Sequence, residues 1–366
     1  MNVGLVVPGF SADATDWCIP ALRHFVRGLD QTDHVRVLAV RYPYTAGCYP
    51  VEGAQVTAIG GAASRGWSTL SVWQHTLRAI GAEHRRRRFD VLHAFWATES
   101  GLLAALAGRL LGVPVLVSLA GGELVALPDI GYGDQRRPWE RLKIAAALRL
   151  ASAVSAGSHY LARLAERRAG RRPVEWLPLG VDTRMFQPLE HGHGRGSLLH
   201  VGTLTPVKDQ RTLLAALARA RRAIPGLALD IVGDGPLCRD LQAFAAELGL
   251  NGAVRFRGAV DHAQLPGLYQ EASAFVLSSR HEAQGMVALE AASCGVAVIG
   301  TRVGNLPELA PATCVPVCDP TALAGAIERH CVDADDGWAA RQIVEKTFSV
   351  ELSVQRFRAC YARLAS

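Results

Sequence analysis

The sequence predicts an α/β protein with two doubly wound sheets of parallel strands, one following the other along the chain. Three observations support this prediction. Short β-rich apolar runs alternate with longer segments of helical periodicity throughout the 366 residues. The alternation stops once, at residues 178–197, where the chain is rich in Gly, Pro and His, and then restarts. The length also suits two domains better than one.

The first half contains five predicted strands, each connected to the next by a helical segment or a loop. The predicted strands are residues 3–7, 35–40, 91–94, 113–119 and 153–156. The predicted helices are residues 17–29, 70–83, 101–111 and 140–150. Helices placed between successive strands are typical of βαβ units, which favours a parallel sheet.

The second half repeats the same alternation. The predicted strands are residues 198–202, 228–232, 254–256, 274–277 and 296–300. The predicted helices are residues 210–223, 237–248, 263–271 and 286–294, followed by an amphipathic helix at 350–364. We therefore expect domains at residues 1–185 and 186–348, with a C-terminal helix at 349–366. Ligands of such sheets bind outside the carboxyl ends of the strands, so a cleft between the two sheets is the expected site.

Charge is distributed unevenly between the halves. Residues 1–185 carry 22 Lys and Arg against 15 Asp and Glu, whereas residues 186–366 carry 17 against 18. A basic half is compatible with a solvated surface in an arginine-rich protein, or with a patch for an anionic acceptor or anionic lipid. Nucleic acid is not expected as a partner, because no recognition motif accompanies the charge and no aromatic residues interleave it.

The cysteines and the apolar segments bear on the cellular compartment. The eight cysteines have no framework spacing and fit no standard zinc pattern, which indicates reduced thiols, no metal site and a cytoplasmic location. The N-terminus lacks a basic leader, and Pro8 and Gly9 break its apolar run. The most apolar window, residues 102–119, contains Arg109 and Pro114. Any contact with the inner face of a membrane is therefore expected to be peripheral.

Two glycine-containing loops of the second half have features of anion sites. In HVGTLTPVKDQ a strand ends at Gly202, and Lys208 stands just before a predicted helix. A lysine beside a helix N-terminus holds anions well, although a plain surface lysine is the alternative. In LDIVGDGPL the strand ends at Gly233, where a tight turn lets a ligand approach the backbone or is simply structural.

The stretch HEAQGMVALEAASCG combines two carboxylates with a helix start. Glu282 lies on the loop, and the helix begins near Gly285, so the amides of Met286 and Val287 form its N-terminus. Glu290 lies about 7.5 Å further along the helix axis, among small residues that pack closely on a sheet. A carboxylate there needs partners. A diol such as a ribose 2′,3′-pair would supply two donors; the alternative is two unrelated surface glutamates.

These motifs, taken in order, resemble the family 4 retaining glycosyltransferases of GT-B fold. The family pattern is V-G-R-L-x-x-x-K, then V-G-D-G-P, then E-x(7)-E-A-x-A-x-G-x-P-V-V, then G-G-x-x-E. This chain reads VGTLTPVK, IVGDGPL, EAQGMVALEAASCGVAVIG and VGNLPEL. The resemblance is strong over residues 198–310 and looser in the first half. It implies two Rossmann-like domains facing a central cleft, the first for the acceptor and the second for the donor, with the last helix returning to the first domain.

The resemblance also implies roles for individual residues. The reaction would be transfer of a sugar from a nucleotide diphosphate with retention of configuration, without a metal or other cofactor. Lys208 would contact the donor diphosphate and Glu282 would lie beside the donor sugar. Glu290 would hold the ribose hydroxyls. The other donor-side positions implied are Gly9, Thr203, Gly233, Gly285, Met286 and Val287.

Three departures from the family pattern affect these roles. Thr203 stands where the family often has an arginine, and Arg280 and Arg302 are candidates to replace that charge. The loop Gly121-Gly122-Glu123 lacks the family's histidine, so Glu123 or the backbone is expected to contact the sugar. Gln284 replaces an aromatic residue, which suggests a more polar sugar pocket. The alternatives to an active retaining enzyme are a catalytically impaired nucleotide-binding scaffold and an inverting transferase or epimerase of GT-B fold. The acceptor would be a glycan, a lipid-linked molecule or a small molecule.

Overall fold

The computed structural model describes residues 1–61, 67–168, 173–189, 197–309, 312–332 and 337–366. The chain divides into two compact units: Met1–Gly180 with Val350–Ser366, and Val181–Ser349. The observed boundary precedes the expected one at 185/186, because Val181 already pairs within the second unit. Its N–H donates to the carbonyl of Phe348 at 2.8 Å, and it forms a β-bridge with Ser349.

The first unit contains an eight-stranded sheet within its described residues, in the order β3-β4-β2-β1-β5-β6-β7-β8. Its strands are β1 Asn2–Gly9, β2 His34–Tyr42, β3 Gly47–Val51, β4 Ala54–Ala58, β5 Val91–Phe95, β6 Val115–Leu119, β7 Ala153–Ala156 and β8 Glu175–Trp176. All neighbours are parallel except β3 and β4, which form an antiparallel hairpin at one edge. Sequence analysis did not predict this hairpin or the two-residue strand β8.

Helices connect these parallel strands. They are α1 Pro20–Asp30, α2 Trp67–Arg86, α3 Glu99–Leu111, α4 Pro138–Leu150 and α5 His159–Arg168. The strands β5 and β6 are buried along their whole length. Such continuous apolar strands are expected where helices cover both faces of a sheet, and the prediction of a parallel α/β unit is confirmed.

The second unit contains a six-stranded sheet within its described residues, in the order β11-β10-β9-β12-β13-β14, and every pair is parallel. The strands are β9 Leu198–Val201, β10 Leu229–Val232, β11 Val254–Gly258, β12 Ala274–Leu277, β13 Ala297–Thr301 and β14 Thr313–Val315. The helices are α6 Gln210–Ala220, α7 Cys238–Glu247, α8 Leu265–Glu271, α9 Met286–Ser293, α10 Pro320–Val332 and α11 Trp338–Thr347. The predicted doubly wound sheet is confirmed here too.

The final helix, α12 Val350–Ala365, follows the second unit in sequence but belongs to the first. It packs on α1 and β5. The Phe357 ring lies edge-on to Phe25, with centroids 4.8 Å apart, and the Tyr361 hydroxyl lies 2.6 Å from Nδ1 of the buried His93. Arg358 forms an ion pair of 2.7 Å with Asp33. Apolar packing, a buried hydrogen bond and a charge pair therefore hold α12 on its unit.

Candidate functional site

The second unit has a topological switch point between β9 and β12. These strands are neighbours, but the chain continues from β9 to β10 on one side and from β12 to β13 on the other. The loops that leave their carboxyl ends therefore diverge, and an open α/β sheet binds its ligands in the crevice this creates. Lys208 lies on the loop after β9, and Glu282 lies on the loop after β12.

The structure brings Lys208 and Glu282 into direct contact. The Lys208 Nζ lies 2.5 Å from Glu282 Oε1, and the Ser279 hydroxyl donates to the same oxygen at 2.6 Å. The two loops are also joined through their backbones. The Ser278 hydroxyl donates to the Lys208 carbonyl at 2.8 Å, and the Arg280 N–H donates to the Val207 carbonyl at 2.8 Å. The site thus holds a fixed cation beside a fixed carboxylate.

The protonation of Glu282 follows from opposing effects. Burial raises the pKa of this carboxyl. The charge and hydrogen bond of Lys208 and the hydrogen bond from Ser279 lower it by a larger amount in total, so the pKa lies below its ordinary value. Glu282 is therefore an anion at neutral pH, balanced by Lys208. A diphosphate that contacted Lys208 would compete with Glu282 for the same ammonium group.

Gly233 supports the loop after β9 by a close backbone approach. It follows β10 with φ +129°, and a Cβ at this position would clash with the carbonyl oxygen of Gly202. The Gly202 N–H in turn donates to the Val232 carbonyl at 2.9 Å. Only glycine tolerates both this φ and this contact, so the positional requirement predicted for Gly233 has a structural cause.

Gly285 begins α9 in the left-handed conformation, with φ +80°. The amides of Met286 and Val287 are the first of the helix and have no intrahelical acceptor, which makes them donors for an anion or a hydroxyl. Both residues are partly exposed. Gln284, the departure from the family aromatic, precedes this helix start, and its carbonyl accepts from the Asn305 N–H at 2.7 Å.

Glu290 is buried within α9 and has two side-chain partners. The Tyr269 hydroxyl donates to Glu290 Oε2 at 3.0 Å, and His262 Nε2 lies 3.3 Å from Oε1. A carboxylate offers about four lone-pair positions, so these two contacts leave room for a ligand's hydroxyl groups. The buried carboxylate is thus held in one orientation by the protein, as a selective hydrogen-bond acceptor should be.

Thr203 lies exposed on the loop after β9. Its carbonyl accepts from the Gln210 amide at 3.0 Å, and that amide also lies 3.3 Å from Nε2 of the buried His200. Burial lowers the pKa of His200 to about 4, so this imidazole is neutral and brings no charge to the site. Arg280 and Arg302 were suggested as replacements for the family's arginine at position 203. The Arg280 N–H donates to the loop that carries Lys208, whereas the Arg302 N–H donates to the Val315 carbonyl of β14 at 3.0 Å.

In the first unit, Gly9 ends strand β1, and the Gly121-Gly122-Glu123 loop lies after strand β6. The carboxyl ends of these two strands share one edge of the parallel sheet. A Cβ at Gly9 would lie 3.0 Å from the Tyr42 side chain, and one at Gly121 would lie 2.8 Å from Trp96 Nε1. A Cβ at Gly122 would lie 2.9 Å from the Tyr132 ring. All three glycines therefore stand where the surroundings leave little space for a side chain.

Glu123 is placed differently from the expectation that its side chain contacts a sugar. The residue is fully buried, with 0% of its surface exposed. Its carboxylate accepts from the amides of Gly121 at 2.7 Å, Ala120 at 3.1 Å and Ala97 at 3.3 Å. Burial raises its pKa, although these amides act in the opposite direction. Glu123 therefore shapes the loop from inside, and only the loop backbone faces outward.

Sequence analysis missed several residues of the site. Tyr269 and His262 lie on and before α8, far from Glu290 in sequence, and no local pattern connects them. Ser279 stands three residues before Glu282, but no local pattern in the sequence indicates that its hydroxyl bonds to this carboxylate. Trp96, at the end of β5, has φ +67°, a rare conformation for a bulky residue, and no sequence signal predicts it.

Comparison with known proteins identifies the class and the family. A model of the glycosyl transferases group 1 matches residues 181–336, and a model of the glycosyl transferase 4-like domain matches residues 19–180. Sucrose-phosphate synthase from Thermosynechococcus elongatus superimposes with a TM-score of 0.79 at 20% identity, covering 99% of this chain and 98% of that one. The fold is therefore that of the GT-B class of glycosyltransferases. As the resemblance predicted, the chain combines a glycosyl transferase 4-like domain with a domain of the glycosyl transferases group 1.

Curated relatives match over part of their length. A D-inositol 3-phosphate glycosyltransferase of Segniliparus rotundus is 30% identical over 61% of this chain and 53% of its own. A GDP-mannose-dependent alpha-(1-6)-phosphatidylinositol monomannoside mannosyltransferase of Mycolicibacterium smegmatis is 36% identical over 37% of this chain and 40% of its own. The chain thus spans about half the length of these relatives. None of its described helices combines the length and the apolar character that a bilayer crossing requires.

Proposed function

We propose that the protein is a retaining glycosyltransferase that transfers a sugar from a nucleotide diphosphate to a hydroxyl-bearing acceptor. The observation that carries this proposal is the Lys208–Glu282 pair at the switch point of the second sheet. A cation, a helix N-terminus and two carboxylates placed along α9 and its preceding loop match the parts of a nucleotide sugar. These parts are an anionic diphosphate, a sugar and a ribose diol.

The diphosphate is the leaving group, and its developing charge needs stabilisation. Lys208 would supply a cation, and the amides of Met286 and Val287 at Gly285 would supply fixed dipoles. The glycine turn at Gly233 lets the end of β10 pack directly on the Gly202 backbone, which positions the loop that carries Thr203 and Lys208. The same groups would support a reaction that needs no metal ion or other cofactor.

The two glutamates would have different tasks. Glu282 is ionised and lies beside the cation, so its carboxylate would accept from a donor-sugar hydroxyl and orient the anomeric carbon. Glu290 is held by Tyr269 and His262, with acceptor capacity left for the 2′- and 3′-hydroxyls of ribose. Retention of anomeric configuration is proposed from family membership.

The acceptor is proposed to bind the first unit. Residues 1–185 carry a formal charge of +7, which favours an anionic acceptor or a membrane surface. Two relatives are named for inositol 3-phosphate and for a phosphatidylinositol mannoside, which are polyols with a phosphate. A glycan, a lipid-linked molecule or a small molecule of this kind fits the charge. Gly9, Gly121 and Gly122 would let donor or acceptor approach the backbone. The cytoplasm, including the inner face of the membrane, is the proposed location.

Calorimetric titration with UDP, GDP, ADP and dTDP tests the donor site. We expect one nucleotide to bind, with affinity reduced about tenfold to a hundredfold in Glu290→Gln, because a buried charged hydrogen bond contributes roughly 1.5–3 kcal/mol. The matched control is Glu247→Gln, which changes an exposed glutamate at the end of α7. Equal affinity in Glu290→Gln and the wild type would contradict the ribose role.

Transfer assays test the reaction itself. With the bound nucleotide identified, its sugar conjugates are offered with inositol phosphates and phosphatidylinositol lipids, and the anomeric configuration of the product is determined by NMR. A product of retained configuration supports the proposal, and an inverted product would assign the chain to the inverting class. Nucleotide binding with neither transfer nor donor hydrolysis would favour the impaired scaffold. Lys208→Ala is expected to lower kcat/KM, whereas Lys346→Ala, at an exposed lysine of α11, leaves it unchanged.

A further inference from the structure

The first unit has a groove of about 640 Å³ that the donor chemistry does not use. It lies between α2, the first turn of α3 and the first turns of α4. Leu70, Trp73 and Trp139 line it together with Arg41 and Lys143. The groove therefore combines an aromatic and aliphatic lining with basic side chains and with the acidic side chains of Glu99, Asp134 and Glu140.

Apolar side chains at this groove extend far into solvent. Trp139 is 72% exposed, Leu142 is 60% exposed and Leu70 is 48% exposed. Trp139 and Leu142 are three residues apart on α4 and thus lie on one side of the helix. The opposite side of α4 already supplies the core, through Ile144 and Ala147. The apolar residues facing solvent are therefore in excess of what the fold needs.

Two arginines lie next to these apolar residues, and the charge of one of them, Arg137, acts on the nearby Asp134 carboxyl. Arg137 and Arg141 are exposed and form no ion pair within the part of the chain described. By contrast, Arg41 is paired with Glu99 and Lys143 with Glu140, each at 2.7 Å. We call Leu70, Trp139, Leu142, Arg137 and Arg141 together the Trp139 face. It places two exposed arginines beside exposed apolar groups.

We propose that the Trp139 face docks on the surface of an anionic bilayer. Tryptophan places its ring at the level of lipid headgroups, and an adjacent leucine reaches the acyl boundary. Arginines at the rim pair with headgroup phosphates, each stabilising the contact. The proposal deepens the proposed function, since a docked first unit would meet an acceptor that resides in the membrane.

Charge argues against a second copy of the chain as the occupant. A two-fold interface brings each patch against the same patch of the other subunit. Arg137 and Arg141 would then face their own copies, and unpaired like charges disfavour that contact. An anionic bilayer satisfies both the apolar residues and the arginines.

Flotation of the full chain with vesicles tests the proposal without donor or acceptor. The vesicles are phosphatidylcholine alone, or phosphatidylcholine mixed with phosphatidylglycerol, at low and high salt. We expect binding to the mixed vesicles that weakens with salt. The pair Trp139→Ala and Leu142→Ala should lower the partition coefficient about tenfold or more. Arg137→Gln and Arg141→Gln should each lower it about fivefold at low salt and flatten the salt dependence.

Matched controls change similar residues elsewhere. Leu110→Ala removes a side chain that is 77% exposed at the end of α3, and Arg239→Gln removes an exposed charge on α7. Both should bind vesicles as the wild type does. Absence of a preference for anionic vesicles, or equal losses in the controls, would overturn the proposal. A wild-type dimer in sedimentation that Trp139→Ala dissociates would also overturn it, in favour of a second copy.

The outcome is separable from that of the proposed function. Nucleotide binding is measured by calorimetry without vesicles and depends on the second unit. Vesicle binding lost in the Trp139 variants, with nucleotide affinity unchanged, supports the docking surface alone. Nucleotide binding with no vesicle binding in the wild type would overturn the docking surface and leave the donor site standing.

Discussion

Removing the ammonium group of Lys208 should destabilise the protein through Glu282. The two side chains are 20% and 12% exposed, and their charged atoms are 2.5 Å apart. At an effective dielectric constant of about 20, the direct attraction is roughly 7 kcal/mol, and desolvation of both groups offsets most of it. We expect a net coupling of about 2 kcal/mol. Lys208→Met alone should cost about 3 kcal/mol, because it leaves a buried carboxylate without a counter-charge.

A double-mutant cycle measures this coupling. Lys208→Met, Glu282→Gln and the double variant are unfolded with urea at equilibrium, and Lys346→Met is the control for a lysine without such a partner. The Glu282 pKa is lowered in the folded state, so its contribution is present above the unfolded value of 4.5 and is lost as pH falls through the folded pKa. The coupling should therefore be full near neutral pH and shrink in acid.

A coupling below about 0.5 kcal/mol at neutral pH would show that Lys208 and Glu282 behave as an exposed surface pair and not as a buried ion pair. A coupling that stays constant into strong acid would show that the charge of Glu282 does not contribute to the interaction with Lys208.

Three further predictions concern stability. Gly233→Ala should lower the free energy of unfolding by more than the roughly 1–2 kcal/mol of the φ penalty alone, because the added Cβ also meets a backbone carbonyl. Gly249→Ala is the control, since Gly249 has φ +70° and open space around it, and it should show only that penalty. Urea unfolding measures both. Burial lowers the pKa of His93 to about 3, so as pH falls the unfolded state takes up a proton on this residue before the folded state does. The free energy of unfolding should therefore fall by up to about 1.4 kcal/mol per pH unit below about pH 6.5. His93→Gln should show a shallower fall. Tyr269→Phe should lower the free energy of unfolding by about 1.5–3 kcal/mol and weaken nucleotide binding, since Glu290 loses a buried hydrogen-bond donor. A variant as stable as the wild type would show that the hydroxyl is dispensable.

Sequence reasoning succeeded where periodicity was strong and local. The strands 153–156 and 274–277 were predicted with their observed bounds, because each is an apolar run ended by turn residues. The hairpin β3–β4 was missed, since its alternation is short and only one of the five residues of β3 is buried. Residues 190–196 of the predicted connection at 178–197 lie outside those the structure describes.

The site shows the same division between local and distant information. The loop positions of Lys208 and Glu282 followed from spacing, but their mutual contact depends on β9 and β12 being neighbours, which spacing alone does not give. Glu290 was correctly expected to need partners, yet Tyr269 comes from a different helix. Glu123 or its loop backbone was expected to contact the sugar, and the sequence gives no sign that the amides around Glu123 turn its carboxylate inward.

The position of α12 has a consequence for synthesis on the ribosome. Residues 181–349 form a contiguous unit that contains all its own strands, so it can fold as soon as it has emerged. The first unit is made earlier but lacks the helix that covers Phe25 and His93 until Val350–Ala365 is translated. The half that begins the chain is thus the later of the two to be completed, and until then Phe25 and His93 lack the contacts that Phe357 and Tyr361 give them.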